Sequence, residues 1–172
     1  MMKSTEVVAL GYHYPGPNSA AELATAIAGE QNAEVKHLMQ RFLTAVGSLS
    51  LGEWEELHTA TLDLSAPFAP YVGHVIWGDA YRRGEFMSDL VRAMADADIE
   101  LGGELPDHIE PVLRYLAATP TPLPDLIEVL PGALATMNQT LKTAAPDNPY
   151  CHLLAATISC AADRPVTIGA RR

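Results

Sequence analysis

The sequence predicts an all-α protein, a single-domain helical bundle spanning residues 1–172. Three observations predict it. Apolar residues recur at helical spacing along most of the chain. Capping residues, glycines and prolines cut that pattern into helix-length pieces. The composition, 48% hydrophobic and 19% charged, belongs to a chain that buries a core. A chain of this length buries roughly 70% of its unfolded surface, so folding needs neither a disulfide nor a metal.

The run Val7-Val8-Ala9-Leu10 fits a strand or a helix, and Ser4 or Thr5 in the N-cap position favours a first helix. Ser19-x-x-Glu22 reads as a capping box ahead of Leu23 and Ile27. Val35, Leu38, Met39, Phe42, Leu43 and Val46 make one apolar stripe on a long amphipathic helix that ends at Gly47-Ser48. Ser50-x-x-Glu53 is a second capping box, opening a helix with Leu51, Trp54, Leu57, Thr61 and Leu62. Ser65-Ala66-Pro67-Phe68-Ala69-Pro70 is a loop, because each proline turns the residue before it away from helix.

A short apolar stretch, Tyr71 to Trp77, closes at Gly78-Asp79. The next helix turns Phe86, Met87, Leu90, Val91 and Met94 inward and Arg82, Arg83, Glu85, Asp89, Arg92 and Asp96 to water. Gly102-Gly103 marks a loop, and Pro106 or Asp107 starts a helix striped by Ile109, Val112, Leu113 and Leu116. Pro111 fits that start poorly. Thr119 to Pro124 connects to a stripe of Ile127, Leu130, Leu134, Met137 and Leu141 that continues across Pro131 as one kinked helix or two short ones. The last helix begins near Asn148-Pro149 and carries Leu153, Leu154, Ile158 and Ala161. The tail from Val166 to Arg172 is expected to be loose.

The formal net charge of −10 repels phosphate, so nucleic acid and anionic membrane are poor partners, whereas a basic peptide is a good one. Cys151 and Cys160 lie nine residues apart, on opposite faces of a helix, and read as small buried side chains in a reducing cytosol. The first sixteen residues are too short and too polar for a signal peptide or membrane span, so a cytoplasmic location is expected. No GxxxxGK[ST], strand-borne GxGxxG, HExxH or GxSxG is present. His108-Ile109-Glu110 lacks the PCxxC half that a zinc deaminase needs. No two of the six histidines sit at i, i+4, so no metal site is visible. This combination favours a binding protein over an enzyme.

Three blocks then carry a resemblance. They are Leu57-His58-Thr59-Ala60-Thr61-Leu62-Asp63-Leu64-Ser65-Ala66-Pro67, Tyr71 to Asp79 followed by Arg83-Gly84, and Glu104-Leu105-Pro106-Asp107-His108-Ile109-Glu110-Pro111-Val112-Leu113. In that order they resemble the nitrate-reductase delta (NarJ) assembly chaperones, within the wider TorD/DmsD family of redox-enzyme maturation proteins. The third block is the most specific. His58 replaces the family's usual tyrosine, and Ala69 a common serine.

The resemblance implies an all-helical chaperone with no cofactor of its own; a monomer is the default expectation, and the oligomeric state is left open by the sequence. Its partner would be the N-terminal, often twin-arginine-like, segment of a molybdoenzyme catalytic subunit, held until the molybdenum cofactor is inserted. The client site is expected at Pro70, Tyr71, Trp77, Gly78, Asp79, Arg83, Glu104, Pro106, Asp107 and His108. Tyr71 and Trp77 would give apolar contact, Asp79 and Asp107 would meet positive charge, and His108 would be their hydrogen-bonding neighbour. Each residue also has a plain structural reading: Tyr71 and Trp77 as core, Asp107 as a helix cap, His108 as a satisfied interior histidine and Asp79 as a turn former. A permanent adaptor subunit of a respiratory oxidoreductase is the main alternative. A nucleotide-binding enzyme and a metal- or haem-binding bundle are weaker ones.

Overall fold

A computed structural model describes residues 1–63 and 68–163. Among the described residues the chain forms nine α-helices and no extended sheet, an all-α bundle. They are α1 (Ser4–Leu10), α2 (Ser19–Ala28), α3 (Ala33–Gly47), α4 (Leu51–His58), α5 (Val72–Trp77), α6 (Tyr81–Asp96), α7 (Ile109–Ala118), α8 (Pro124–Ala144) and α9 (Tyr150–Ala162), with a π-helical turn, Thr59–Asp63, continuing α4. The tail beyond Asp163 and most of the proline loop after Asp63 lie outside the described residues.

Helix α9 is the centre of the bundle and packs against α3, α8 and α1. Its own sequence explains this. Leu153, Leu154 and Ala156 are fully buried, and Cys151 and Cys160, on opposite faces, are both buried too. His152, Ala155 and Ser159 keep one half-buried side toward water, and the other sides are covered by neighbouring helices. Burying each leucine contributes about 2 kcal/mol relative to leaving it in water. The polar atoms at this centre are paired. The Tyr150 hydroxyl accepts from Trp54 Nε1 (3.3 Å) and lies 3.0 Å from His58 Nδ1, and the Tyr12 hydroxyl lies 2.7 Å from Thr157 Oγ1. Burial of the Tyr12 phenol drives its pKa far above the ordinary tyrosine value. His58 is thus an interior histidine.

The amphipathic stripes set which faces turn inward. In α3, Val35, Met39, Phe42 and Val46 are buried and Leu38 and Leu43 flank them. In α4 the box at Ser50 forms as expected. The Glu53 amide donates to Ser50 Oγ (3.3 Å) and the Ser50 amide to the Glu53 carboxylate (2.7 Å), which lies below its ordinary pKa range on account of that backbone bond.

Other boundaries differ from expectation. Ser19 lies inside α2, after Asn18, and its hydroxyl accepts from the Gly16 amide instead of capping. Helix α1 starts after Lys3, whose amide donates to the Glu6 carboxylate at 2.6 Å, while Ser4 Oγ donates to the buried Glu30 carboxylate at 2.9 Å instead of capping. Val91 is exposed, and in α8 the buried stripe runs through Leu126, with Ile127 one position off it and 36% exposed. Helix α8 is one continuous helix across Pro131, which lies on its exposed side, where water can satisfy the freed carbonyl.

Candidate functional site

The second and third sequence blocks meet. Residues Pro70 to Val72 run antiparallel to Asp107 to Ile109 for a single bridge, with Tyr71 opposite His108. The Val72 amide donates to the Asp107 carbonyl (2.7 Å) and the Ile109 amide to the Pro70 carbonyl (3.0 Å). Proline suits its place here, since only its carbonyl is used. The second bond also decides where α7 begins. His108 becomes the N-cap, its Nδ1 accepting from the Glu110 amide at 3.2 Å. That start at Ile109, three residues later than Pro106, places Pro111 in the first turn. There a helix has no internal partner for an amide, so the proline costs nothing.

Asp107 is neither the start of the helix nor a group facing water. It is fully buried. Arg83, in the first turn of α6, grips it with two hydrogen bonds, Nε to Oδ2 at 3.0 Å and Nη2 to Oδ1 at 3.3 Å. The side chain of Arg83 is 16% exposed, so it does not belong to the solvated face of its helix. Its guanidinium lies 5.8 Å from the centre of the Tyr71 ring, which meets His108 edge to face at 5.2 Å. A paired charge in the interior is tolerated, whereas removing either partner strands the other. Gly73 makes the close approach possible. A Cβ there would sit 2.8 Å from Asp107 Oδ2 and 3.1 Å from the Phe86 ring.

The remaining expected residues surround this pair. Tyr71 and Trp77 are half-buried. Trp77 packs on Phe86 with ring centres 5.0 Å apart, and Arg82 lies over it at 5.5 Å. Gly78 ends α5 with φ +59°, a conformation that favours glycine, and leads to Asp79. Asp79 is 92% exposed and lies 3.6 Å from His74 Nδ1 and 3.8 Å from Arg83 Nη1. Glu104 accepts from the Leu105 amide at 2.9 Å and from the Tyr71 hydroxyl at 3.4 Å, and Pro106 is buried. The ten residues form one locus, but its charges are largely matched internally. Asp79 is the carboxylate of this group that stands in water.

The start of α7 carries a further charge cluster. Burial would raise the Glu110 carboxyl, but hydrogen bonds from His13 (2.9 Å) and Arg114 (2.7 and 3.1 Å) outweigh it and hold the group below the ordinary carboxylate range. Arg114 also donates to the Glu100 carbonyl at 2.8 Å, bracing the loop that carries Glu104 to Asp107.

Two recesses lie elsewhere. An apolar groove of about 500 Å³ runs between α1 and α2, lined by Met1, Met2, Val7, Leu10, Ala21 and Ala26 among others. A shallow recess of about 430 Å³ lies over α4, lined by Tyr14, Gly52, Glu55, Glu56, Thr59 and Ala60. The sequence reading missed both. The signal for the second was an outward helix face of Gly52, Glu55, Glu56 and Thr59 at i, i+3, i+4 and i+7.

Among the described residues no three His, Cys, Asp or Glu side chains gather as metal ligands would, and no helix is long and apolar enough to cross a membrane. No protein-family model matches the chain, and no curated protein matches it.

Proposed function

We propose that the protein is an assembly chaperone of the nitrate-reductase delta kind, which binds the N-terminal segment of a molybdoenzyme catalytic subunit in the cytoplasm and performs no catalysis. The observation that carries this reading is the meeting of two separated blocks. The residues of Tyr71 to Asp79 with Arg83, and those of Glu104 to Leu113, bear the resemblance in sequence, and in space the bridge at Tyr71–His108 and the Arg83–Asp107 pair join them. The net charge of −10 supports a basic segment as the partner.

Within this reading the roles divide. Arg83, Pro106, Asp107 and His108 build the locus from inside. Asp79 and the uncovered edges of Tyr71 and Trp77 meet the client. The test is to purify the tagged protein from its native cell under molybdenum limitation and identify what accompanies it by mass spectrometry. A molybdoenzyme catalytic subunit lacking its cofactor is the expected companion. A fully assembled, cofactor-loaded enzyme would replace this reading with that of a permanent adaptor subunit, and the absence of any molybdoenzyme would overturn both.

A further inference from the structure

Most of the described lysines and arginines are paired, and the two exceptions stand together. Arg82, Arg83, Arg92 and Arg114 each lie 3.0 Å or less from a carboxylate oxygen. Lys3 and Lys36 donate to the carbonyls of Ala117 and Ala28. Among the described residues Arg41 and Lys142 make neither an ion pair nor a side-chain hydrogen bond, although the chain has 21 acidic residues for 11 basic ones. Both act on one place. Arg41 and His37 lie one turn apart on α3, Lys142 is in the last turn of α8, and His152 is in the first turn of α9, which packs against both helices. His37, Arg41 and Lys142 are exposed and His152 is half-buried. Burial lowers the His152 pKa, and Arg41, His37 and Lys142 push it the same way. The neighbouring carboxylates leave this cluster open. Glu34, three residues before His37, accepts from Ser159 Oγ at 3.1 Å. Asp147, in the turn from α8 to α9, acts with Lys142 on the Cys151 thiol but forms no ion pair among the described residues.

Like charges held side by side without a countercharge raise the energy of the free protein, and an anion between them lowers it. Four basic groups gathered around one half-buried residue fit a compact ligand. We propose that His37, Arg41, Lys142 and His152 bind a doubly charged oxyanion, a phosphate or sulfate group. Arg41 supplies a fork of N–H donors that matches two oxygens, Lys142 a flexible point charge, and the histidines further donors once protonated. The net charge of −10 does not forbid this. Beyond about 10 Å ordinary salt screens the distant carboxylates, and at contact range the local cations decide. The inference is independent of the chaperone reading, since its residues lie outside the Asp107 locus and its ligand has the opposite charge to the client segment.

The full chain is titrated with sodium sulfate, and with sodium chloride at equal ionic strength, while NMR follows the histidine rings and the backbone amides. Sulfate keeps its double charge across the histidine range, so any pH dependence belongs to the protein. Expected are saturable shifts centred on residues 37–41, 142 and 150–152. The His152 midpoint should rise by about half a pH unit or more with sulfate and not with chloride. Arg41→Gln and Lys142→Gln, both at exposed positions, should each weaken sulfate binding roughly three- to tenfold at unchanged helical content. Without sulfate, each should raise the His152 midpoint, because a like charge has gone. Equal response to chloride, no saturation, shifts spread over every basic residue, or binding unmoved by both variants would each overturn the proposal. Inorganic phosphate and glycerol 3-phosphate, compared at about pH 7, identify the source. Tighter binding of the ester assigns the site to a phosphorylated ligand, equal or tighter binding of the free ion assigns it to the ion, and binding of neither overturns it.

Discussion

Two acidic places in this molecule invite comparison, the Asp107 locus and the Tyr14 recess. At the first, a carboxylate is fully buried and held by two hydrogen bonds from Arg83. At the second, Glu55 and Glu56 line open space, and among the described residues neither is ion-paired. A sequence reading ranks the first higher, because its residues stand in the more specific motif. Physically the ranking reverses for recognition. A charge already matched inside the protein has little left to offer a ligand, while an unmatched one at the surface keeps its full attraction. Residues that specify a fold and residues that greet a partner are selected by opposite conditions.

This contrast can be broken by substitution. The largest effect is expected at Asp107→Ala, which strands Arg83 in the interior. It should lower unfolding free energy by about 3–5 kcal/mol, read by urea denaturation. A loss below about 0.5 kcal/mol, the ordinary range for a surface change, would mean that Asp107 is not the structural group described.

Gly73→Ala sharpens the same point with no change of charge. The added methyl meets Asp107 Oδ2 and Phe86, so a loss of about 1–3 kcal/mol is expected by the same measurement.

Glu110→Gln should cost less, about 1 kcal/mol, and in a pH-dependent way. Because the folded Glu110 carboxyl lies below its ordinary range, its stabilisation is full above the unfolded value near 4.3 and fades as pH falls through the folded one. The gap between wild type and variant should therefore narrow between about pH 7 and about pH 3. A constant gap would show that the His13 and Arg114 bonds do not favour the charged form.

Much of the architecture was legible from residue pattern. The stripes of α3, α7 and α9 and the capping box at Ser50 are local properties, written in neighbours three and four positions apart. What was not legible depends on partners far along the chain. Asp107 has the sequence look of a cap, and only the arrival of Arg83 from α6 and the Pro70 carbonyl at Ile109 moves the cap to His108. Ile127 and Leu126 are equally apolar, and the angle at which α8 packs decides which is buried. The candidate site was read in part. Its ten residues do assemble, but periodicity carries no information about which charges find a mate, so the exposure of Asp79 and the recess at Tyr14 lay beyond it.

The position of α9 has a consequence for how the protein is made. Helices α1, α3 and α8 surround it, yet all of them leave the ribosome first. Until residue 162 has been synthesised, the faces of α1, α3 and α8 that meet α9 stay uncovered, and the contacts that complete the core span most of the chain. The nascent protein therefore passes through a long interval with sticky, half-wrapped helices. Closing the core waits for α9, and a chain in which α9 is delayed exposes those faces to aggregation.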